Sequence, residues 1–261
     1  MKRLLPVIIL TIATSAFAGL TYKFESSTTG IRTLTMTGTV STDGQKMRMD
    51  VVSGDQMIFK DNDVVLSVDG GKTMTVFDPT TKTYFDLQLD QLLGSSTGML
   101  NSLGDMVKIA FTNPQVNVRD QGDGGTVEGY STRKYVLDAS YDINIDAMGQ
   151  KMTTHATMNS ENWMTDQLSA DFSSFLQARG MRTGIEAIDK MIEAHATMHG
   201  FPMKQVTTVH IAQGDNVMTM TTSSSVNSIQ RRAIDAAQFA APAGYTKVDD
   251  PMTKMLKQLK Q

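Results

Sequence analysis

Cysteine is absent from this 261-residue chain. That excludes disulfides, thiolate metal sites, thiol nucleophiles and the lipid-bearing cysteine of a tethered lipoprotein. Stability must then come from the core alone, which a chain this long can build. Tryptophan occurs once, at Trp163, and proline six times. Lys and Arg number 24 against 27 Asp and Glu, a net charge of −3. With no positive excess and no basic stripe, the electrostatic footprint of a nucleic-acid binder is missing. Dinucleotide fingerprints and phosphate-cradling glycine loops are missing too. No apolar run reaches the ~20 residues that cross a bilayer as a helix.

What is present begins with an export grammar. Lys2 and Arg3 precede a short apolar run from Leu4 to Ile12, followed by small residues at Ala16 and Ala18. This pattern predicts a signal peptide over 1–18, cleaved after Ala18. Residues 19–261 are expected to fold as one domain without a stable membrane anchor. Methionine is unusually common, at 20 residues. Its flexible thioether fills irregular gaps and lines surfaces that accept varied apolar shapes.

Periodicity then sets the fold class. Leu20, Tyr22 and Phe24 alternate with polar residues, as do Leu34, Met36, Gly38 and Val40, and then Met47, Met49 and Val51. A period of two marks strands with one apolar face. Further strands are expected at Met57–Phe59, Val64–Val68, Met74–Phe77 and Tyr84–Leu87, separated by Asp-, Asn- and Gly-rich turns. Spacing this close leaves no room for crossover helices, so the sheet should be an antiparallel meander. Apolar residues from Met99 to Val107 recur at three and four, which suggests a helix. Strands resume at Gln115–Arg119, 126–128, Arg133–Asp138 and Lys151–Met158, with an exposed loop at 120–125. Ser160 reads as the cap of a helix running to Ala178. A second helix is expected over 183–198, with Ile185, Ile188, Ile192 and Ala196 on its apolar stripe. Strands at Met203–Ile211 and Val217–Val226 follow, and an amphipathic helix closes the chain at about 250–261.

Several short segments occur in a distinctive order. These are Gln45–Asp50, Asp78–Tyr84, Val127–Tyr135, Asn162–Thr165, Gly200–Met203 and Phe239–Tyr245. The series resembles an exported bacterial family of unknown function, number 4412, which is similar to the lipoprotein-carrier, LolA-like half-barrels. The resemblance implies an α+β fold: a strongly curved antiparallel sheet with about three helices covering its concave face. It also implies a groove for acyl chains, while the export signal and the lack of cysteine predict a bacterial periplasmic address. It brings no catalytic residues.

The function that follows is a non-enzymatic binding or carrier-type protein whose groove takes an acyl chain or lipid-like ligand. Candidate sheet-side lining comprises Leu34, Met36, Met47, Met49, Val51, Leu66 and Val68. A metal-binding module is the alternative, since thioethers and imidazoles suit copper. Its candidates are the pairs Met47/Met49, Met218/Met220, His155/Met158 and His195/Met198. His195 and His199 are four apart on a predicted helix, yet no glutamate follows His195 as zinc-protease chemistry demands. A third possibility is a structural envelope protein whose own helices fill the concavity. Gly94-Ser95-Ser96-Thr97-Gly98 matches a nucleophile elbow in letters only, because that turn requires a parallel sheet. No cofactor is implied, protein partners are not legible, and no enzyme activity is expected.

Overall fold

The computed structural model describes residues 19–30, 32–54, 59–88, 107–147, 149–168, 185–214, 216–251 and 253–254. The segment 1–18, expected to be a signal peptide, and the Gly94–Gly98 pattern lie outside these residues. So do most of the segments 99–107 and 160–178, for which the spacing predicts helices.

Two meanders build one open sheet. The first comprises β1 (Gly19–Thr29), β2 (Leu34–Asp43), β3 (Lys46–Gly54), β4 (Val64–Ser67), β5 (Thr73–Asp78) and β6 (Thr83–Gln88). The second comprises β7 (Val107–Val127), β8 (Tyr130–Ala147), β9 (Gln150–Thr165), β10 (Phe201–Gln213) and β11 (Asn216–Arg232). They join where β1 pairs antiparallel with β11. A two-residue strand, β12 (Thr246–Lys247), adds in parallel to β6, giving the order β12-β6-β5-β4-β3-β2-β1-β11-β10-β9-β8-β7. The expected meander is present, and the sheet is not closed into a barrel.

The expectation of about three covering helices is corrected. Among the described residues, α1 (Glu186–His195) is the one full α-helix. It stands inside the predicted 183–198. Of its expected stripe, Ile185 is buried and Ile188, Ile192 and Ala196 are half-buried, while Ala187 is buried too and Met191, Ala194 and Met198 pack against the sheet. Residues 251 and 253–254 are helical, the first turn of the predicted C-terminal segment. Ser160 does not cap a helix. It lies inside β9, where its hydroxyl is engaged across the sheet by Thr207 at 2.8 Å. The same side chain that caps a helix can bridge strands when a partner hydroxyl stands opposite.

The expected loop at 120–125 is likewise strand. Asp120 Oδ1 accepts from the Gly122 N–H at 2.8 Å and Asp123 Oδ1 from the Gly125 N–H at 2.8 Å. Gly122 and Gly125 have φ of 78° and 75°. Each Asp-x-Gly step is a bulge, which keeps β7 paired to β8 while bending its free edge. Bulges of this kind blunt an edge against pairing with another chain.

Beyond β11 the chain crosses the face of β3–β6 opposite the main core. A short 3₁₀ turn (Ala236–Phe239), capped by Asp235, buries Phe239 beside Lys46. Arg48 Nη1 donates to the Gln238 carbonyl at 3.2 Å, and Tyr245 meets Phe77 edge-on at 5.3 Å. Lys247 pairs with Asp86 at 2.7 Å.

Asp63 sits at the base of the β3–β4 connection, buried. Its Oδ2 accepts from the Lys60 N–H at 2.8 Å, while Oδ1 meets no donor. Burial pushes its carboxyl above the usual aspartate range; the Lys60 N–H opposes this, and the Asp78 and Asp61 charges add to it. Because the folded chain holds this proton more tightly than the unfolded chain, the group costs stability above the ordinary aspartate pKa of about 3.9. Asp63→Asn should therefore raise the thermal midpoint at pH 7. The gain should shrink as pH falls and vanish below that ordinary value, where Asp63 is protonated in the folded and the unfolded chain alike. Melts at pH 7 and at low pH check this, and an unchanged gain at both would contradict it.

Candidate ligand groove

Residues directly opposite each other in paired strands point to the same face, so the register identifies the apolar surface. One row crosses six strands: Tyr22, Val40, Met49, Val65, Val76 and Phe85. Beside it lie Leu20, Thr42, Met47 and Ser67, with Met74 opposite Leu87. On the other side of the row come Phe24, Gly38 and Val51. Most of these residues form one apolar cluster, together with Phe201 and Met203 of β10 and Leu168 of a 3₁₀ turn after β9. Tyr22 and Phe201 meet edge to face at 5.2 Å. We call this the inner face.

The same face continues onto the second meander. There Val116, Val118, Leu137, Ala139 and Met158 pack with Met191, Ala194 and Met198 at α1. Val127 and Tyr130, from the β7–β8 turn, pack against the first cluster.

Five of the seven residues proposed as lining come together here. Met47 and Val51 are buried, while Leu34, Met36 and Met49 are half-buried. Leu66 does not join them: it pairs with Arg48 and Thr75 and so lies on the reverse face, where it is buried. Val68 stands just past the end of β4 and is 60% exposed. The run Val64-Val65-Leu66-Ser67-Val68 is apolar on both faces, so alternation alone cannot assign its sides. Pairing of Val65 with Met49 settles it. Phe24, Met74 and Phe85, absent from the proposed lining, are half-buried on the inner face. Their alternation with Lys23, Glu25, Thr75 and Asp86 was the available signal.

The metal candidates separate. His195 ends α1, whereas His199 follows the cap at Ala196, where Met198 N–H bonds the His195 carbonyl at 3.1 Å. The two imidazoles therefore do not share one helical face. His155 bonds Asp142 at 2.7 Å on the reverse face, and His210 bonds Thr219 at 2.8 Å. Among the described residues no group of three or more His, Asp or Glu is arranged to hold a metal. No helix among them is long and apolar enough to cross a membrane.

Residues 27–245 match the model of the family described as Domain of unknown function (DUF4412). The chain belongs to the DUF4412 family. Solved structures similar to this DUF4412 protein include an uncharacterized conserved protein from Thermus thermophilus, at 9% identity and TM-score 0.40, covering 89% of this chain and 90% of the other. A LolA superfamily protein from Nitrosomonas europaea aligns at 10% identity and TM-score 0.33, covering 86% and 91%. A DUF1329 family protein from Desulfovibrio piger aligns at 8% identity and TM-score 0.32, covering 87% and 91%. No curated protein matches this DUF4412 chain.

Proposed function

We propose that this DUF4412 protein is an exported, periplasmic binding or carrier-type protein that holds an acyl chain or lipid-like ligand against the inner face of β1–β6. In this reading the sheet bends as a half-barrel and the ligand lies in its concavity. The observation that carries the proposal is the state of Phe24, Leu34, Met36, Met49, Met74 and Phe85. They share one face, they are apolar, and they are only half-buried. Thioether and aromatic side chains adapt to varied apolar shapes. They offer neither a nucleophile nor a general base, so the reading is non-enzymatic.

The experiment is to purify the mature protein from its host, denature it, and identify released lipid and metal by mass spectrometry. A stoichiometric acyl-chain compound is the expected result; stoichiometric copper, or an empty protein that takes up no added fatty acid, would refute it. Chain length supplies a second readout. Each buried CH₂ contributes ~0.8 kcal/mol, roughly fourfold in affinity. Dissociation constants for C8, C10 and C12 fatty acids should fall at about that rate until the groove is full.

A further inference from the structure

The inner face is not apolar throughout. Two neighbouring rows cross the middle of the sheet. The first runs Tyr135, Asn162, Gln205, Ser224, Ser26 and Met36; the second runs Leu137, Ser160, Thr207, Thr222, Thr28 and Leu34. Each row is apolar at its ends and polar on the four strands between, β9, β10, β11 and β1. Eight hydroxyl and amide side chains thus form one band. Ser26 and Ser224 bond at 2.9 Å, Thr28 and Thr222 at 2.9 Å, and Ser160 and Thr207 at 2.8 Å. Gln205 Nε2 and Asn162 Nδ2 each donate to Ser160 Oγ at 3.2 Å.

Apolar side chains border the band on both sides. Tyr22, Phe24, Phe201 and Val226 lie toward one end of the strands, and Met158, Val209 and Met220 toward the other. Ser160 and Asn162 are 4% and 2% exposed, whereas the other six polar members are half-buried and reachable.

The reverse face of the same strands shows what a merely solvated surface looks like here. It carries Lys23 and Glu25 on β1, Glu161 on β9 and Lys204 on β10. The band on the inner face carries no formal charge. A polar but charge-free strip inside an apolar frame complements a group that both donates and accepts hydrogen bonds and is itself uncharged. An anionic or cationic head placed there would lose hydration without meeting a counter-charge.

We infer that this band is a head-group subsite, and that the ligand is a single-chain amphiphile with an uncharged, hydroxyl-bearing head, such as a glyceryl ester. The inference rests on the acyl-binding reading above and specifies its ligand. The head bonds Thr207, Thr222, Thr28 and Ser224, while the chain runs past Leu34 and Met36 over the half-buried residues of β1–β6.

The test holds the chain constant and varies the head. Lauric acid, 1-lauroylglycerol, dodecylphosphocholine and dodecyltrimethylammonium are titrated into delipidated mature protein by calorimetry, each below its micelle concentration. Tightest binding of 1-lauroylglycerol, by about tenfold over each charged probe, is the expected result. Thr207→Val with Thr222→Val should remove that advantage, bringing 1-lauroylglycerol to within about threefold of lauric acid. Thr208→Val, on the reverse face, should leave both unchanged. Equal affinity for all four probes, or a preference for a charged head, would overturn the subsite while leaving the acyl groove standing. If none of the four bound, the groove itself would fall, and the subsite with it.

Discussion

Phe201→Ala should lower the unfolding free energy by about 3–5 kcal/mol, the range for truncating a fully buried aromatic. For a domain of this size that corresponds to a fall in thermal midpoint of roughly 10 °C. Phe201 is 1% exposed and opens β10, two strands from β1. Its ring stands edge-on to Tyr22, in the cluster that also holds Met203, Leu168 and the first meander's core. Emptying that position removes the largest of the side chains that tie the second meander to the first meander's core cluster. The neighbouring backbone resists collapse into the space. Gly200 has φ of 109°, and a Cβ there would sit 2.9 Å from the Thr165 carbonyl. Chemical denaturation of the alanine and leucine variants checks the prediction, with leucine costing less because it keeps more of the volume. A loss under 1 kcal/mol for alanine would show that Phe201 is peripheral.

Phe201 also illustrates how far the residues alone can be read. The Gly-aromatic-Pro-Met segment before a strand is visible, and so is the strand, but its place beside Tyr22 is not. Local alternation announces a strand and its apolar side; it does not say which distant strand lies next to it. Most strands of both meanders are legible for the first reason, and the β1–β11 seam is not for the second. The errors have a similar cause. Ser160 suggests a helix cap, and Asp120–Gly125 a loop, because Ser, Asp and Gly favour those states locally. Cross-strand partners, Thr207 for the first and β8 for the second, turn the same chemistry toward sheet. In the groove, Met47 and Met49 can be placed on one face with Val51 because charged residues interleave with them. Leu66 cannot, since its neighbours Val65 and Val64 are apolar as well. The polar band escapes notice because no single strand displays it. It exists only across β9, β10, β11 and β1 once they are in register.

Gly38→Ala should destabilise the protein by about 1–3 kcal/mol through overpacking and weaken acyl binding as well. A Cβ at Gly38 would lie 2.4 Å from the Asp50 carbonyl oxygen and 2.6 Å from Cε1 of Phe24, its direct partner on β1. The Phe24 ring fills the place that a larger side chain would take. The β2–β3 pairing is already irregular here, at a bulge between Thr37 and Gly38 that leaves Val52 67% exposed. An added methyl must either separate these strands or tip the ring into the space assigned to the ligand. Combining Gly38→Ala with Phe24→Leu should recover part of the loss. Recovery should be incomplete, because the Asp50 carbonyl is backbone and cannot yield as a side chain does. A double-mutant cycle on stability and on lauric acid affinity separates the two contributions. An alanine variant as stable as the parent, with unchanged affinity, would contradict this account.

The position of β1 has a consequence for how the chain assembles as it is made. A ribosome delivers β1 first, and β2 is soon available to pair with one of its sides. The other side waits for β11, whose residue Arg232 pairs with Gly19. More than two hundred residues must therefore emerge while the first strand keeps an unsatisfied flank. Closing so long a loop makes this seam a late event and a slow one. An incomplete chain offers neighbouring copies a ready template for mispairing. Delayed folding during passage across a membrane, or shielding of that flank by a holdase, would serve this topology better than rapid folding as the chain emerges.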